Sequence, residues 1–157
     1  MKKTNALRIL DRHKVEYQLV EYQYSEDNLS VEQIAADNQL PLPQVFKTLV
    51  VKGDKQGVMV ALIPGHGQLS FKALARASGN KKVTTVPVKD LERLTGYIRG
   101  GCSPLGMKKA FPLYMDQSAL DFADIYVNAG KKGLLVRLSP QELQRVAGGQ
   151  VALLAEG

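Results

Sequence analysis

Apolar residues recur at two spacings along this chain, and the switches between them mark its elements. Ala6, Leu7, Ile9 and Leu10 share one face at helical spacing. Thr4 to His13 is therefore predicted helical, capped by Thr4 or Asn5, with His13 and Lys14 at the end that favours positive charge. Val15, Tyr17 and Leu19 then alternate with Glu16 and Gln18, a strand pattern that Tyr22 and Tyr24 extend. After the polar Ser25-Glu26-Asp27-Asn28, Ser30 caps a second helix. Gln33 stands where a capping box needs it, and Val31, Ile34 and Ala35 form the buried stripe. Leu40-Pro41-Leu42-Pro43 ends that helix, because residues before proline avoid the α region.

Val45 to Val51 is the most strand-like stretch, and Gly53-Asp54-Lys55-Gln56-Gly57 turns it back into Val58 to Ile63. His66 sits in an exposed loop at Pro64 to Gly67. Ser70 caps a helix through Ala77, which Gly79 closes. Val83 to Val86 reads as a short strand, Val88 to Leu94 as a helix, and Phe111 to Met115 and Ile125 to Ala129 as strands. Gly130-Lys131-Lys132-Gly133 is predicted as a hairpin turn into Leu134 to Leu138. Ser139-Pro140-Gln141-Glu142 is a strong helix start, with Leu143 and Val146 inward and Gly148-Gly149 at its end. Val151 to Ala155 is a last strand or a tail. Strands and helices do not alternate regularly, which argues against a doubly wound parallel sheet. The expected class is α+β: a mixed, largely antiparallel, barrel-like sheet with peripheral helices, in a single domain spanning residues 1–157.

Charge and cysteine content narrow the function classes. The 157 residues carry a net charge of +6, which suits a polyanionic partner such as RNA. No apolar run approaches the ~20 residues of a membrane span. Arg8, Asp11, Arg12 and His13 interrupt any signal core, so export is not expected and a cytoplasmic location fits. Cys102 is the sole cysteine, which excludes an internal disulfide and a cysteine-rich metal site. Nothing in the pattern calls for a cofactor.

Candidate chemistry concentrates in Thr95 to Lys109, T-G-Y-I-R-G-G-C-S-P-L-G-M-K-K. Four glycines and a proline preclude a regular helix or central strand there. The stretch reads either as a loop whose amides face a ligand or as a long turn between layers. Neither Cys102 nor Ser103 has an evident base, and the chain has only two histidines. Asp116, Asp121 and Asp124 fall in turn-like, solvated contexts. There is no phosphate-binding glycine loop before a helix, no paired-histidine metalloprotease motif and no nucleophile elbow. Lys47 interrupts an apolar strand, so it either faces solvent or reaches into a cleft. Basic residues and available amides suit an anion or an ester carbonyl.

Three segments in order, F-K-T-L around Lys47, the glycine loop, and I-Y-V-N-A-G-K-K-G-L from Ile125, closely resemble the YbaK/EbsC family. These are freestanding relatives of the editing domain of bacterial prolyl-tRNA synthetases. The resemblance implies a mixed barrel and hydrolysis of a mischarged aminoacyl-tRNA, Cys-tRNA(Pro) for the most similar members. Misacylated tRNA is the implied partner, and prolyl-tRNA synthetase a possible second one. The key lysine falls on Lys47, beside Thr48. The loop positions fall on Gly96, Tyr97, Gly100, Gly101, Cys102, Ser103, Pro104 and Gly106, with the amides of Gly101 to Ser103 at the developing oxyanion. The last motif falls on Asn128, Gly130 and Lys131, and a pocket tyrosine on Tyr22. Leu29-Ser30 replaces the family's usual aromatic-glycine pair, and Asn128-Ala129 its usual serine and glycine. Both changes bear on amino-acid selectivity. In the cysteine-specific members, the resemblance implies that the substrate's own thiol attacks the ester.

Overall fold

The computed structural model describes residues 2–156. Helix α1 (Asn5–Arg12) starts at Thr4, whose hydroxyl accepts from the Leu7 amide, and it buries Ala6, Leu7 and Leu10. Strand β1 (Tyr17–Glu21) follows, then α2 (Val31–Asp37), capped by Ser30. The reciprocal half of the predicted capping box is absent: the Ser30 N–H donates to Asn28 Oδ1 (3.1 Å), and the Gln33 side chain donates through Nε2 to Asp37 (2.8 Å). A single 3-10 turn at Leu42–Gln44 leads into β2 (Phe46–Gly53) and its hairpin partner β3 (Gly57–Pro64). Next come β4 (Gln68–Leu69), α3 (Phe71–Ser78), β5 (Val83–Thr85), α4 (Val88–Thr95) and β6 (Leu113–Asp116). The chain finishes with β7 (Ile125–Lys131), β8 (Leu134–Leu138), α5 (Pro140–Ala147), β9 (Gln150–Ala152) and β10 (Ala155–Glu156).

The expected mixed α+β class is what forms, with helices around largely antiparallel strands. The strands do not close into one barrel. A five-stranded sheet runs β5-β2-β3-β6-β9, parallel only at β3–β6 and β6–β9. A second sheet runs β1-β8-β7, and β4 pairs with β10. Between the two larger sheets, β2 approaches β7 through the bridge from Val45 to Tyr126, and no ladder continues beyond it. The seam left open there positions the site. The largest core cluster packs α1 and α5 against both sheets (Leu7, Leu10, Leu62, Met115, Ile125, Leu138, Leu143). A second lies beneath α3, and a third, Tyr22, Ile34, Val45, Tyr126 and Leu135, lines the seam under α2. Among the described residues no helix is long and apolar enough to cross a membrane.

Of the element ends that differ from the sequence expectation, three have a clear local reason. Strand β1 stops at Glu21 because the Asn38 side chain takes both the amide and the carbonyl of Gln23 (2.8 and 2.9 Å). The predicted turn at Gly130–Gly133 is shorter, since β7 continues irregularly to Lys131. Asn128 Oδ1 accepts from the amides of Gly130 (2.7 Å) and Lys131 (3.0 Å) and so builds a bulge. The tail splits into β9 and β10 where the Asp116 carboxylate grips the amides of Leu154 (2.8 Å) and Ala155 (2.9 Å).

Asp116 is thus not a solvated turn acid. It is 2% exposed, and its second oxygen accepts from the Ser118 amide and hydroxyl. Burial pushes its pKa up, but the hydrogen bonds from Ser118, Leu154 and Ala155 outweigh that, and the carboxyl ends below its ordinary value. A group held down in the folded state adds stability above its unfolded pKa, and that stability is lost as pH falls through the folded value. Asp116→Asn should cost about 2 kcal/mol at neutral pH. The gap between variant and wild type in urea unfolding should shrink in strong acid, below the ordinary carboxylate range.

Candidate active site

A cavity of about 330 Å³ opens in the seam between the two sheets. Strand β2 supplies Phe46 to Leu49 along one wall, including Lys47 and Thr48, with Val45 just before it. Tyr22 and Leu135 come from the β1–β8 side, Asn128 from β7, and Leu29, Val31 and Ile34 from the start of α2 and its approach. The glycine loop contributes Arg99, Gly100 and Cys102. The surface depression lined by Val15, Tyr17, Asp124 and Arg137 gathers none of these residues.

Asn128 holds the walls together. Its Nδ2 donates to the Gly100 carbonyl (3.0 Å) and lies 3.5 Å from the Tyr22 hydroxyl, while its Oδ1 forms the bulge just described. All of its hydrogen-bonding atoms thus meet protein partners. Gly101 has its amide bonded to the Ile98 carbonyl (2.9 Å). A Cβ on Gly101 would stand 3.0 Å from the Lys132 amide nitrogen, so the loop lies flat on the β7–β8 turn. Gly100 has φ +84°, and a Cβ there would meet Leu29 at 3.2 Å. Lys132 reaches over this joint to Glu26 (2.9 Å), tying the polar loop before α2 to the turn.

The chemistry of the lining is cationic and lacks a nucleophile. Lys47 and Arg99 are the two cations and Glu32 the one carboxylate. Lys47 is half-buried and, among the described residues, enters no ion pair. Burial pushes the Cys102 thiol up to about 12, so it stays protonated through the neutral range. Ser103 is 1% exposed, and its Oγ accepts from the Leu105 amide (3.1 Å). Thr48 Oγ1 is enclosed and has no partner. Burial also raises the Tyr22 phenol.

Comparison with known proteins gives this arrangement a family. The profile described as "Aminoacyl-tRNA editing domain" matches residues 25–146, which span α2 through α5. The chain belongs to the aminoacyl-tRNA editing domain family. It is 49% identical over 150 residues to EbsC of Enterococcus faecalis, a match covering 96% of this chain and 92% of that one. EbsC carries the provisional name Cys-tRNA(Pro)/Cys-tRNA(Cys) deacylase. The chain is also 32% identical over 113 residues to the proline–tRNA ligase of a Sulfurihydrogenibium species, covering 72% of this chain and 20% of that enzyme. A crystal structure provisionally described as a trans-editing enzyme for prolyl-tRNA synthetase superposes with TM-score 0.82 at 26% identity, with all of both chains covered.

Within this editing domain, the residues singled out in the sequence fall into two groups. Tyr22, Leu29, Lys47, Thr48, Gly100, Cys102 and Asn128 meet at the cavity. Gly96, Tyr97, Gly101, Ser103, Pro104, Gly106, Gly130 and Lys131 stand outside its lining. Gly96 ends α4 in the left-handed region, and the buried Tyr97 hydroxyl donates to the Leu105 carbonyl (2.7 Å). Gly106 presses its Cα toward the Tyr97 hydroxyl and the start of α1, where a Cβ would come within 2.6 Å. Gly130 faces the Tyr97 ring at φ +102°. Pro104 lines a small apolar hollow beside α1 and α5, and Lys131 is exposed. Sequence reasoning passed over Arg99, Glu32 and Gly65. Arg99 had a signal, a cation inside the glycine loop. Gly65 had none, since its role is contact with Val31 of α2, where a Cβ would come within 2.2 Å.

Proposed function

We propose that this protein is a freestanding editing hydrolase that deacylates misacylated Cys-tRNA(Pro), with the substrate's thiol as the nucleophile. The observation that carries this is a cationic cavity built in an editing-domain fold without a competent side-chain nucleophile: Cys102 is held protonated and Ser103 is walled off. An ester already bearing a thiol needs the enzyme only to bind, orient and stabilise charge. Lys47 holds the ester or the terminal nucleotide, Arg99 meets backbone phosphate at the rim, and the Cys102 amide lies nearest the developing oxyanion. The Gly101 amide, already bonded to Ile98, supports the loop instead. Asn128 fixes the loop against β7. The tRNA acceptor end is the partner, and such a reaction belongs in the cytoplasm, where tRNA is charged.

The deciding experiment is a deacylation panel of Cys-, Ser- and Ala-tRNA(Pro) at equal enzyme. Charge offers a second check. The net +6 and the exposed Lys108, Lys109 and Lys131 imply phosphate contacts that release counterions. The Michaelis constant for tRNA should rise steadily between low and physiological salt, whereas a salt-independent constant would make these lysines plain surface.

A further inference from the structure

The seam leaves part of β2 as an open edge, and the register identifies which residue faces it. Gly65 N–H donates to the Val45 carbonyl (2.7 Å), and the pairing with β3 continues in one register, with Lys47 opposite Ile63 and Thr48 opposite Leu62. In an antiparallel pair, residues alternate between exchanging hydrogen bonds with the opposite residue and turning both backbone groups away. The Val45 carbonyl points toward β3, although its N–H is taken by the Leu42 carbonyl (3.1 Å), so Lys47 and Leu49 direct their backbone groups toward β3 and Thr48 turns its N–H and C=O outward. On that side β5 pairs only with Val51 to Gly53, and β7 touches β2 through the bridge at Val45. Thr48 is therefore an unpaired edge position, and it sits in the cavity wall with Lys47, Gly100 and Cys102.

A half-buried backbone donor and acceptor need partners. An aminoacyl ester offers the matching pair around its own Cα: a carbonyl oxygen that accepts and an α-amine that donates. We infer that Thr48 binds the aminoacyl moiety as one residue of an adjoining strand, its N–H donating to the ester carbonyl and its C=O accepting from the α-amine. This rests on the deacylase reading above and adds what that reading leaves open, how the site recognises an aminoacyl group as such. It is strand addition reduced to one residue. The bridge at Val45 closes the edge on one side and β5 on the other. The contact reads the amine and the ester and is indifferent to the side chain, which a strand-like residue directs out of the hydrogen-bonding plane. Cysteine selectivity is thereby left to the thiol and the cavity walls.

Amide hydrogen exchange followed by NMR tests this in the intact protein, using the non-hydrolysable 3′-cysteinylamido-3′-deoxyadenosine as probe. In the free protein the Lys47 and Leu49 amides should exchange slowly and Thr48 fast. The probe should slow Thr48 by about tenfold or more while leaving its neighbours little changed. A kinetic arm uses 3-mercaptopropionyl-tRNA(Pro), which keeps the thiol and the ester but lacks the amine. Its kcat/KM should fall about 10- to 100-fold below that of Cys-tRNA(Pro), after correction for spontaneous hydrolysis of each. A probe that binds without protecting Thr48, a probe that does not bind, or equal rates for the two esters would each overturn the inference. Failure to cleave Cys-tRNA(Pro) at all would instead overturn the deacylase reading, and the exchange arm would still report on Thr48.

Discussion

Replacing Lys47 by alanine should reduce kcat/KM for Cys-tRNA(Pro) at least ~100-fold and leave the fold intact. Two observations set this expectation. Lys47 lies in the cavity wall rather than on an outer face, and among the described residues no carboxylate pairs with it. A half-buried cation without a partner pays desolvation for no structural return, so its charge is free for a ligand. Removing a charged donor aimed at developing negative charge typically costs a factor of 10²–10³. Stability should barely move, by about 0.5 kcal/mol, since no ion pair or core contact is lost. Lys47→Arg should recover part of the activity, because the charge remains but the planar fork sits differently. Near-normal turnover by the alanine variant, with an unchanged unfolding midpoint, would remove Lys47 from the mechanism.

The sequence pattern alone left Lys47 undecided between solvent and cleft, and the reason is physical. Alternation along β2 says which residues share a face, but not what lies opposite. What lies opposite here is a gap, created because β2 and β7 meet at one bridge and then part. Elements fixed by local chemistry were legible: the Thr4, Ser30, Ser70 and Ser139 caps all accept the amide three residues on. Features that depend on distant partners were not. Asp116 reads as a turn acid until the tail, nearly forty positions later, folds onto it. The glycine loop was legible as special, but not its division of labour. Gly100 and Cys102 reach the cavity, while Gly96, Tyr97 and Gly106 shape the loop behind it, and nothing in their spacing separates the two roles. Asn128 stood out as a departure from the family pattern. Only the folded chain shows its amide committed to Gly100 and to the bulge.

Cys-tRNA(Pro) should be cleaved faster than both Ser- and Ala-tRNA(Pro), and by more than fit explains. A cavity that distinguishes sulfur from a smaller group by volume alone gains about 1–3 kcal/mol, or 10–200-fold. Serine is the sharper comparison, because oxygen replaces sulfur with little change of shape and keeps the same edge contacts. A hydroxyl stays protonated at neutral pH and attacks poorly without a base, whereas a thiol near its ordinary pKa supplies a few per cent thiolate. The lining supplies no such base: the histidines stand elsewhere, and its one carboxylate, Glu32, is exposed. Nearby Lys47 and Arg99 should also favour the substrate thiolate over the thiol. The rate with Cys-tRNA(Pro) should therefore rise with pH through the substrate thiol's ionisation, while that with Ala-tRNA(Pro) should follow hydroxide alone. A bound-water mechanism predicts the reverse, similar rates for the cysteine and alanine esters and parallel pH profiles. Equal cleavage of those two would overturn the thiol mechanism. It would then direct attention to Leu29, which narrows the cavity against Gly100, and to Asn128, which braces the opposite wall.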